Sequence, residues 1–374
     1  QMKDLSQKNK IRGIGLMSGT SMDGLDIACC DFWMEGDSYQ YEIIRCGQYE
    51  FDEKWKTRIS HLYGQSGEVF AKTHVYFGHW LGEKVQAFIK EFDLRPDFVA
   101  SHGQTIYHQP DKSFTAQIGD GETLVSYLDC PVITNFRNKD IAMGGEGAPL
   151  VPLGEHFLYR NHSLFLNLGG FANLGFDRKG FDVCACNIVL NLLANRMDSS
   201  LDYDPEGCIS EGGSCQASLF KELNELVYFS AEPPKSLGWE WVEAEVLPLL
   251  DQSGLSLQDQ MRTFTEHVCF QISRALSLAD MSDSSLLVTG GGKHNTFLMK
   301  KLGEKLAAQR ISVSEETDQQ MVDFKEAIIF AFLGLRILEG KSTTWSSITG
   351  SKVDTLSGSI HLPASGGYKL IKLA

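Results

Sequence analysis

The sequence predicts an α/β protein built as two lobes that share one plan. Segments typical of buried strands alternate with amphipathic helical segments, as in α/β folds. A strand, a glycine turn and a second strand occur at residues 11–32, and this succession returns at 164–176, which indicates a duplicated domain. Because 374 residues exceed one typical core, we expect a first lobe over 1–155 and a second over 156–374, with the hinge near 150–160.

The first lobe contains one long helical pattern among several short strands. Apolar side chains recur every three or four positions over residues 69–92, a spacing typical of a helix packed on a core. A shorter helix is expected at 121–128. Strands are predicted at 11–16, 27–32, 41–49, 98–100, 116–121 and 131–134.

The second lobe repeats the alternation with longer helices. The apolar run at 286–289 predicts a buried strand, and three glycines and a helix from about 295 follow it. The other strands are predicted at 164–168 and 174–176, and the other helices at 187–196, 257–278 and 322–339.

Composition excludes several classes of partner. A net charge of −14 argues against nucleic acid and anionic membranes as ligands. No apolar run approaches the roughly 20 residues that span a bilayer, and residues 1–10 lack the apolar core of a signal peptide. Nine scattered cysteines, an odd number without repeated metal-ligand spacing, indicate a reduced cytoplasmic chain more than a disulfide scaffold or a metal site.

The turn at residues 15–26 is the most informative stretch of the chain. It reads Gly-Leu-Met-Ser-Gly-Thr-Ser-Met-Asp-Gly-Leu-Asp between two predicted strands. Glycines and hydroxyl residues in such a turn suit close backbone approach to phosphate oxygens. Asp23 or Asp26 could hold Mg²⁺ through water. The alternative is an ordinary polar hairpin turn.

Four further segments together with this turn carry a family resemblance. They read Ala-Ser-His-Gly-Gln-Thr at 100–105, Gly-Gly-Glu-Gly-Ala-Pro-Leu at 144–150, Asn-Leu-Gly-Gly-Phe-Ala-Asn at 167–173 and Thr-Gly-Gly-Gly-Lys-His-Asn at 289–295. With them the chain resembles the anhydro-N-acetylmuramic acid kinase family from about residue 13 to 358. The resemblance implies the duplicated, two-lobed actin-like or sugar-kinase ATPase fold, with a cleft between the lobes.

The resemblance also implies that ATP binds with Mg²⁺ on its phosphates. Two glycine turns would contact the phosphates, and a third would lie behind the adenosine. The rival interpretation of the third turn, a flexible loop, is weakened by the strand before it and the helix after it. The assigned residues are Gly19, Thr20, Ser21, Met22, Asp23, Gly24, Leu25 and Asp26 for the first turn, Gly169 and Gly170 for the second, and Gly290, Gly291 and Gly292 for the third.

Asp182 is the predicted catalytic base. It matches the family's catalytic aspartate at a predicted strand end, where a carboxylate can take a proton from an attacking nucleophile. The alternative is a capping or ion-paired aspartate. The family pattern continues Thr-Gly-Pro-Gly-Asn, whereas this chain continues Val-Cys-Ala-Cys-Asn over 183–187, so we expect an altered loop after the carboxylate.

Five residues are assigned to the sugar. Neutral groups after the strand at 98–100 suit hydroxyls and an acetamido group, and a guanidinium suits the lactyl carboxylate. For His102 the alternative is a structural hydrogen bond, for Arg137 an ion pair with Asp140, and for Glu326 a solvated helix face. The assigned residues are His102, Gln104, Thr105, Arg137 and Glu326.

The family's reaction opens the 1,6-anhydro ring of anhydro-N-acetylmuramic acid with water and phosphorylates the freed O6 from ATP. The resemblance therefore implies a cytoplasmic kinase of cell-wall recycling, whose partners are the sugar, ATP and a second copy of the chain. Two alternatives remain, a kinase for another sugar and a non-catalytic sugar or nucleotide sensor on the same fold. The altered loop at 183–186 is the feature that favours the sensor.

Overall fold

A computed structural model describes residues 3–4, 8–19, 24–233, 235–281, 283–314, 318–364 and 368–369. The chain divides into two compact units. The first unit comprises Gln1–Tyr159 together with Phe324–Ala374, and the second unit comprises Arg160–Asp323. No helix among the described residues is long and apolar enough to cross a membrane.

Strands and helices alternate along the described parts of the chain. The strands are β1 Lys3–Asp4, β2 Ile11–Ser18, β3 Gly24–Glu35, β4 Ser38–Glu50, β5 Phe98–Ser101, β6 Gln104–Gln109, β7 Phe114–Ile118, β8 Val132–Thr134, β9 Leu164–Leu168, β10 Phe171–Phe176, β11 Lys179–Ala185, β12 Ser285–Thr289, β13 Ser312–Val313, β14 Ser359–His361 and β15 Tyr368–Lys369. The α-helices are α1 Glu53–Ser60, α2 Gly67–Glu91, α3 Gly121–Val125, α4 Asn138–Ala142, α5 Val151–Leu158, α6 Asn187–Met197, α7 Cys208–Gly212, α8 Ala217–Asn224, α9 Trp239–Trp241, α10 Leu247–Gln252, α11 Leu257–Leu278, α12 Thr296–Ala307, α13 Gln319–Asp323, α14 Lys325–Leu338 and α15 Ser346–Thr349.

The main sheet of the first unit has the order β14-β8-β5-β2-β3-β4. Strands β2, β3 and β4 form an antiparallel meander, and β5 and β8 extend the sheet from β2 in parallel. Helix α2 covers one face because Phe77, Leu81 and Val85 repeat at helical spacing and join the buried core of this unit. The helix predicted at 69–92 is thereby confirmed.

The sheet of the second unit has the order β11-β10-β9-β12-β13. Strands β9, β10 and β11 again form an antiparallel meander, and β12 and β13 again extend it in parallel from the first strand. Five of the six strands in the main sheet of the first unit, in the order β4-β3-β2-β5-β8, follow the same plan. This shared topology confirms the predicted duplicated α/β architecture.

The C-terminal segment lies in a different unit from the one the sequence suggested. Residues 324–374 belong with the first unit, although the sequence placed them in a second lobe over 156–374. The cause is α14, whose residues are buried on nearly all sides and which packs on β2, β3 and β5. Gly15 permits this packing, because a Cβ there would lie 1.8 Å from the carbonyl oxygen of Ala327.

Candidate active site

The Gly169–Gly170 turn joins β9 to β10 and is tied to the start of α6. The carbonyl oxygen of Gly170 accepts the amides of Cys186 and Ile188 at 2.8 and 3.2 Å, and that of Gly169 accepts the amide of Asn187 at 3.2 Å. The Asn187 side chain also donates to the Leu168 carbonyl at 2.8 Å. The sequence at 186–188 therefore fixes the shape of the glycine turn.

The three glycines after β12, residues 290–292, lie against the turn at Gly169–Gly170. β12 runs parallel to β9 with Thr289 opposite Asn167, so the carboxyl ends of both strands meet at one edge of the sheet. Gly290 has a φ of +84°, and a Cβ there would lie 2.4 Å from the Asn167 Oδ1 atom. A side chain is thus excluded at Gly290 by both conformation and contact. The structure brings together the second and third predicted glycine turns.

The two glycine turns leave space beside their peptide groups. A Cβ on Gly169 would meet nothing closer than 3.5 Å, and one on Gly291 nothing closer than 4.0 Å. Peptide groups without side chains are therefore open to a ligand at both turns, at the carboxyl ends of two parallel strands where α/β folds bind ligands. Beside them the hydroxyl of Thr289 is buried without a hydrogen-bond partner among the described residues.

The first predicted phosphate turn is only partly described. Thr20, Ser21, Met22 and Asp23 lie outside the described residues, whereas Gly19 follows the end of β2 at Ser18, and Gly24, Leu25 and Asp26 begin β3. Gly24 is a close-packed position, because a Cβ there would lie 2.3 Å from the Tyr49 carbonyl oxygen. Asp26 accepts a hydrogen bond from the Gln48 side chain at 3.1 Å. The described residues contain no group of three or more His, Cys, Asp or Glu side chains that could hold a metal ion.

Asp182 lies on β11 opposite Asn173, at a β-bulge that leaves Val183 without a partner on β10. Its side chain is 9 % exposed. One carboxylate oxygen, Oδ2, accepts the amide of Leu237 at 2.9 Å. The capping alternative is wrong for α6, because the N-cap of that helix is Cys186.

The altered sequence after Asp182 has an unusual backbone at one residue. Residues 183–186, all of which the structure describes, have no positive φ, but Cys186 has a φ of −135° and a ψ of −108°, outside the β and right-handed α regions. Strand β11 continues to Ala185, and α6 begins two residues later. Burial raises the pKa of the Cys186 thiol to about 12 and that of Cys184 well above its usual range, so both thiols stay protonated at neutral pH.

In the first unit, Arg137 is held by two acceptors. Its Nε donates to the Nε2 atom of His102 at 3.0 Å, and its Nη1 donates to the Gly147 carbonyl oxygen at 2.7 Å. Because a guanidinium only donates, His102 accepts at Nε2 and donates from Nδ1 to the Gly103 carbonyl oxygen at 2.8 Å. Burial, reinforced by the charge of Arg137, lowers the pKa of His102 to about 3. His102 is therefore neutral and makes structural hydrogen bonds through both ring nitrogens.

Asp140 is not the partner of Arg137. Its Oδ2 accepts the amide of Gly147 at 2.9 Å, and its Oδ1 accepts the hydroxyls of Thr344 and Thr349 at 2.8 Å each. The carboxylate is buried and shapes the loop at 144–147. The ion-pair alternative for Arg137 is thus wrong, and both side chains instead hold the Gly147 peptide, one at its carbonyl and one at its amide.

The other residues predicted for the sugar lie in the same unit. Gln104 is buried and hydrogen-bonds to Ser18, and Thr105 accepts from the Gln117 side chain at 3.3 Å. Glu326 is half-buried in the first turn of α14. A pocket of about 270 Å³ opens beside His102 and Gly103, and its other lining residues include Ser101, Asp120 and Thr134. Contact of these residues with a sugar stays a prediction.

Sequence reasoning missed the residues that surround Asp182. The Tyr228 hydroxyl donates to the Asp182 carbonyl oxygen at 2.6 Å, and the Asp182 amide donates to the Lys235 carbonyl oxygen at 3.2 Å. These partners lie about 50 positions further along the chain, between predicted elements. The only signal in the sequence is the local pattern of aromatic residues, prolines and a lysine over 228–241.

Comparison with known proteins identifies the family. The family model described as anhydro-N-acetylmuramic acid kinase matches residues 11–363. The chain is 30 % identical over 370 residues to the anhydro-N-acetylmuramic acid kinase of Sulfurimonas denitrificans, covering 93 % of this chain and 98 % of that protein. It is 33 % identical over 370 residues to the protein of the same name from Coxiella burnetii, covering 94 % and 98 %. The chain belongs to the anhydro-N-acetylmuramic acid kinase family.

Proposed function

We propose that this chain is an ATP-dependent kinase that converts anhydro-N-acetylmuramic acid to N-acetylmuramic acid 6-phosphate during cell-wall recycling and amino-sugar catabolism. Family membership over nearly the whole chain supports this activity. The observation that carries it is Asp182, a nearly buried carboxylate oriented by the Leu237 amide, in the same unit as two adjacent glycine turns open to a ligand.

Asp182 is assigned the role of general base. Its carboxylate removes a proton from water as the water oxygen bonds to the anomeric carbon. The bond between that carbon and O6 breaks, and O6 bonds to the γ-phosphorus of ATP while ADP leaves. Water supplies the new hydroxyl at the anomeric carbon, and the proton stays on Asp182 until solvent removes it.

The glycine turns are assigned to the nucleotide. Gly169 and Gly291 present unshielded peptide groups, and Gly290 and Gly292 pack flat on Leu168 so that no side chain intrudes. Mg²⁺ bound to the ATP phosphates would neutralise charge that develops during transfer. In the first turn, Asp23 or Asp26 would hold that ion through water.

Arg137 is assigned to the lactyl carboxylate of the sugar, with Gln104, Thr105 and Glu326 on its other polar groups. The orientation of Arg137 supports this, because His102 and Gly147 fix its guanidinium before any substrate arrives. Free cysteines such as the buried Cys29 and Cys30 support a cytoplasmic location. A homodimer is proposed on family resemblance alone, and light scattering of the purified chain tests it.

Isotope-labelled product analysis tests the reaction. The protein is incubated with ATP, Mg²⁺ and the anhydro sugar in ¹⁸O-water, and the product is analysed by mass spectrometry. We expect one added phosphate and one ¹⁸O atom at the anomeric position. Phosphorylation of N-acetylglucosamine or glucose in place of the anhydro sugar would instead identify another sugar kinase, and binding without ADP release would identify a sensor.

Asp182→Asn provides the control for that experiment. The amide cannot accept the proton, so we expect turnover to disappear while both substrates still bind. A rate close to that of the unaltered protein would remove Asp182 from the catalytic role without affecting family membership.

A further inference from the structure

The segment from Tyr228 to Leu237 crosses the backbone of Asp182 and contacts it at three points. The Tyr228 hydroxyl donates to the Asp182 carbonyl oxygen at 2.6 Å. The Asp182 amide donates to the Lys235 carbonyl oxygen at 3.2 Å, and the Leu237 amide donates to the Oδ2 atom of Asp182 at 2.9 Å. One residue of β11 is thus bonded through its amide, its carbonyl and its carboxylate to a single segment.

Lys235 holds this segment in its own shape. Its Nζ donates to the carbonyl oxygens of Ala231 and Tyr228 at 2.9 and 3.2 Å, and it lies 4.6 Å from the centre of the Tyr228 ring. Lys235 therefore connects Tyr228, which bonds to the Asp182 carbonyl oxygen, with its own backbone, which bonds to the Asp182 amide. Burial lowers the pKa of Lys235, and its bonds to two carbonyls use the charged group within the segment.

The Tyr228 ring is anchored independently of its hydroxyl. Ring centres of Phe229 and Trp241 lie 5.6 and 5.3 Å away. Removing the hydroxyl alone therefore leaves the aromatic packing in place and deletes one hydrogen bond to Asp182. This separation makes the function of the segment testable without unfolding it.

We propose that the described residues 228–233 and 235–237 form a positioning strap, which fixes the backbone and carboxylate of Asp182 in the orientation that its role as base requires. The bulge at Val183 explains the need for such a strap. It interrupts the ladder between β10 and β11 beside Asp182, so neighbouring-strand bonds no longer fix the backbone there. The strap supplies replacement bonds from outside the sheet.

The kinetic test rests on the proposed function and uses Tyr228→Phe. We expect kcat to fall by about tenfold, as for one lost hydrogen bond, with the KM values for the sugar and ATP unchanged. The matched control is Tyr127→Phe, which also loses one hydroxyl bond, to His79 at 2.9 Å, but in the first unit. Equal kcat values for Tyr228→Phe and Tyr127→Phe would overturn the positioning role.

A second test does not depend on activity. Hydrogen–deuterium exchange is read at the Leu237 amide in the full-length chain and in Asp182→Ala. Loss of the acceptor is expected to speed exchange at Leu237 by about tenfold, while amides of α11 keep their protection. An unchanged exchange rate at Leu237 would overturn the strap even if the enzyme is active. Absence of turnover with the anhydro sugar would overturn the proposed function and leave the exchange result standing.

Discussion

Arg137 and His102 form a hydrogen-bonded pair in which a neutral imidazole orients a guanidinium. The Nε of Arg137 donates to His102 at 3.0 Å, and the Nη1 of Arg137 donates to the carbonyl oxygen of Gly147. Both ring nitrogens of the histidine are used, because its Nδ1 proton goes to the Gly103 carbonyl oxygen and its Nε2 atom accepts from Arg137. His102 thus orients Arg137, and it also lines the pocket beside Gly103, so its predicted contact with the sugar stays a prediction.

Arg137→Lys should therefore be far from conservative. An ammonium cannot donate to His102 and Gly147 in the fixed fork geometry of a guanidinium, so the charge would lose its orientation. We expect the KM for the anhydro sugar to rise by about tenfold or more, with the KM for ATP unchanged. Arg310→Lys, at an exposed ion pair with Asp283, is the control and should leave the KM values for the sugar and for ATP unchanged. An unchanged sugar KM in Arg137→Lys would exclude this arginine from substrate binding.

Gly290→Ala tests the nucleotide turn. The new Cβ would lie 2.4 Å from the Asn167 side chain at a φ of +84°, so β9 and β12 would have to separate. We expect weaker ATP binding by calorimetry and a lower unfolding midpoint. Gly254→Ala is matched in conformation, with a φ of +66°, but meets no atom within 4 Å. Gly254→Ala should lower the free energy of unfolding by only about 1 kcal/mol and leave the affinity for ATP unchanged. Equal ATP affinities in the two variants would argue against this turn as part of the nucleotide site.

The alternation of strands and helices and the glycine turns could be predicted because each depends on local sequence. Apolar runs that end in glycine predict strands followed by turns, and they did so at Leu168 and Thr289. The sequence predicts Asp182 at the end of its strand, but it lies inside β11, which continues to Ala185. The position of α14 could not be predicted in this way. The apolar faces of α14 indicate burial but not which sheet it covers. Gly15, whose missing side chain permits the close packing of α14, lies more than 300 positions earlier in the sequence.

The contacts around Asp182 and the hydrogen bond between Arg137 and His102 could not be predicted from the sequence, for a related reason. Both depend on hydrogen bonds between segments that are distant in sequence, such as Tyr228 with Asp182 and His102 with Arg137. Residue type alone leaves each of these side chains equally suited to a ligand or to a protein partner. Only the folded arrangement shows which partner is present.

Two buried histidines and one half-buried histidine should make stability depend on pH. Burial lowers the pKa values of His102, His108 and His267 to about 3, below the usual 6.5 of an unfolded chain. Between these values the unfolded state binds more protons, so stability is full above pH 6.5 and falls as the pH drops toward 3. Each histidine adds a slope of up to about 1.4 kcal/mol per pH unit. Urea unfolding at pH 7, 6 and 5 measures the slope.

His267→Gln separates one histidine from the others. His267 is buried in the second unit, bonds to the Asn224 side chain at 2.8 Å, and has its ring centre 5.2 Å from that of Phe229. We expect this variant to show a shallower loss of stability between pH 6.5 and 5 than the unaltered protein. Identical slopes would mean that His267 is protonated in the folded state or exposed before unfolding.

Lys325 and Glu155 form a buried ion pair that should stabilise the attachment of α14 within the first unit. Their side chains are 1 % and 4 % exposed and meet at 2.5 Å, linking α14 to α5. Burial raises the pKa of Glu155, and Lys325 opposes that shift.

Lys325→Met would leave the carboxyl buried without its cation, so we expect a loss of about 3–5 kcal/mol in the free energy of unfolding. Adding Glu155→Leu to that variant should restore much of the loss, because an apolar pair of similar volume avoids the desolvation cost of both charges. Urea unfolding of the two single variants and the double variant gives the coupling free energy, and additive losses would show that the two charges do not interact.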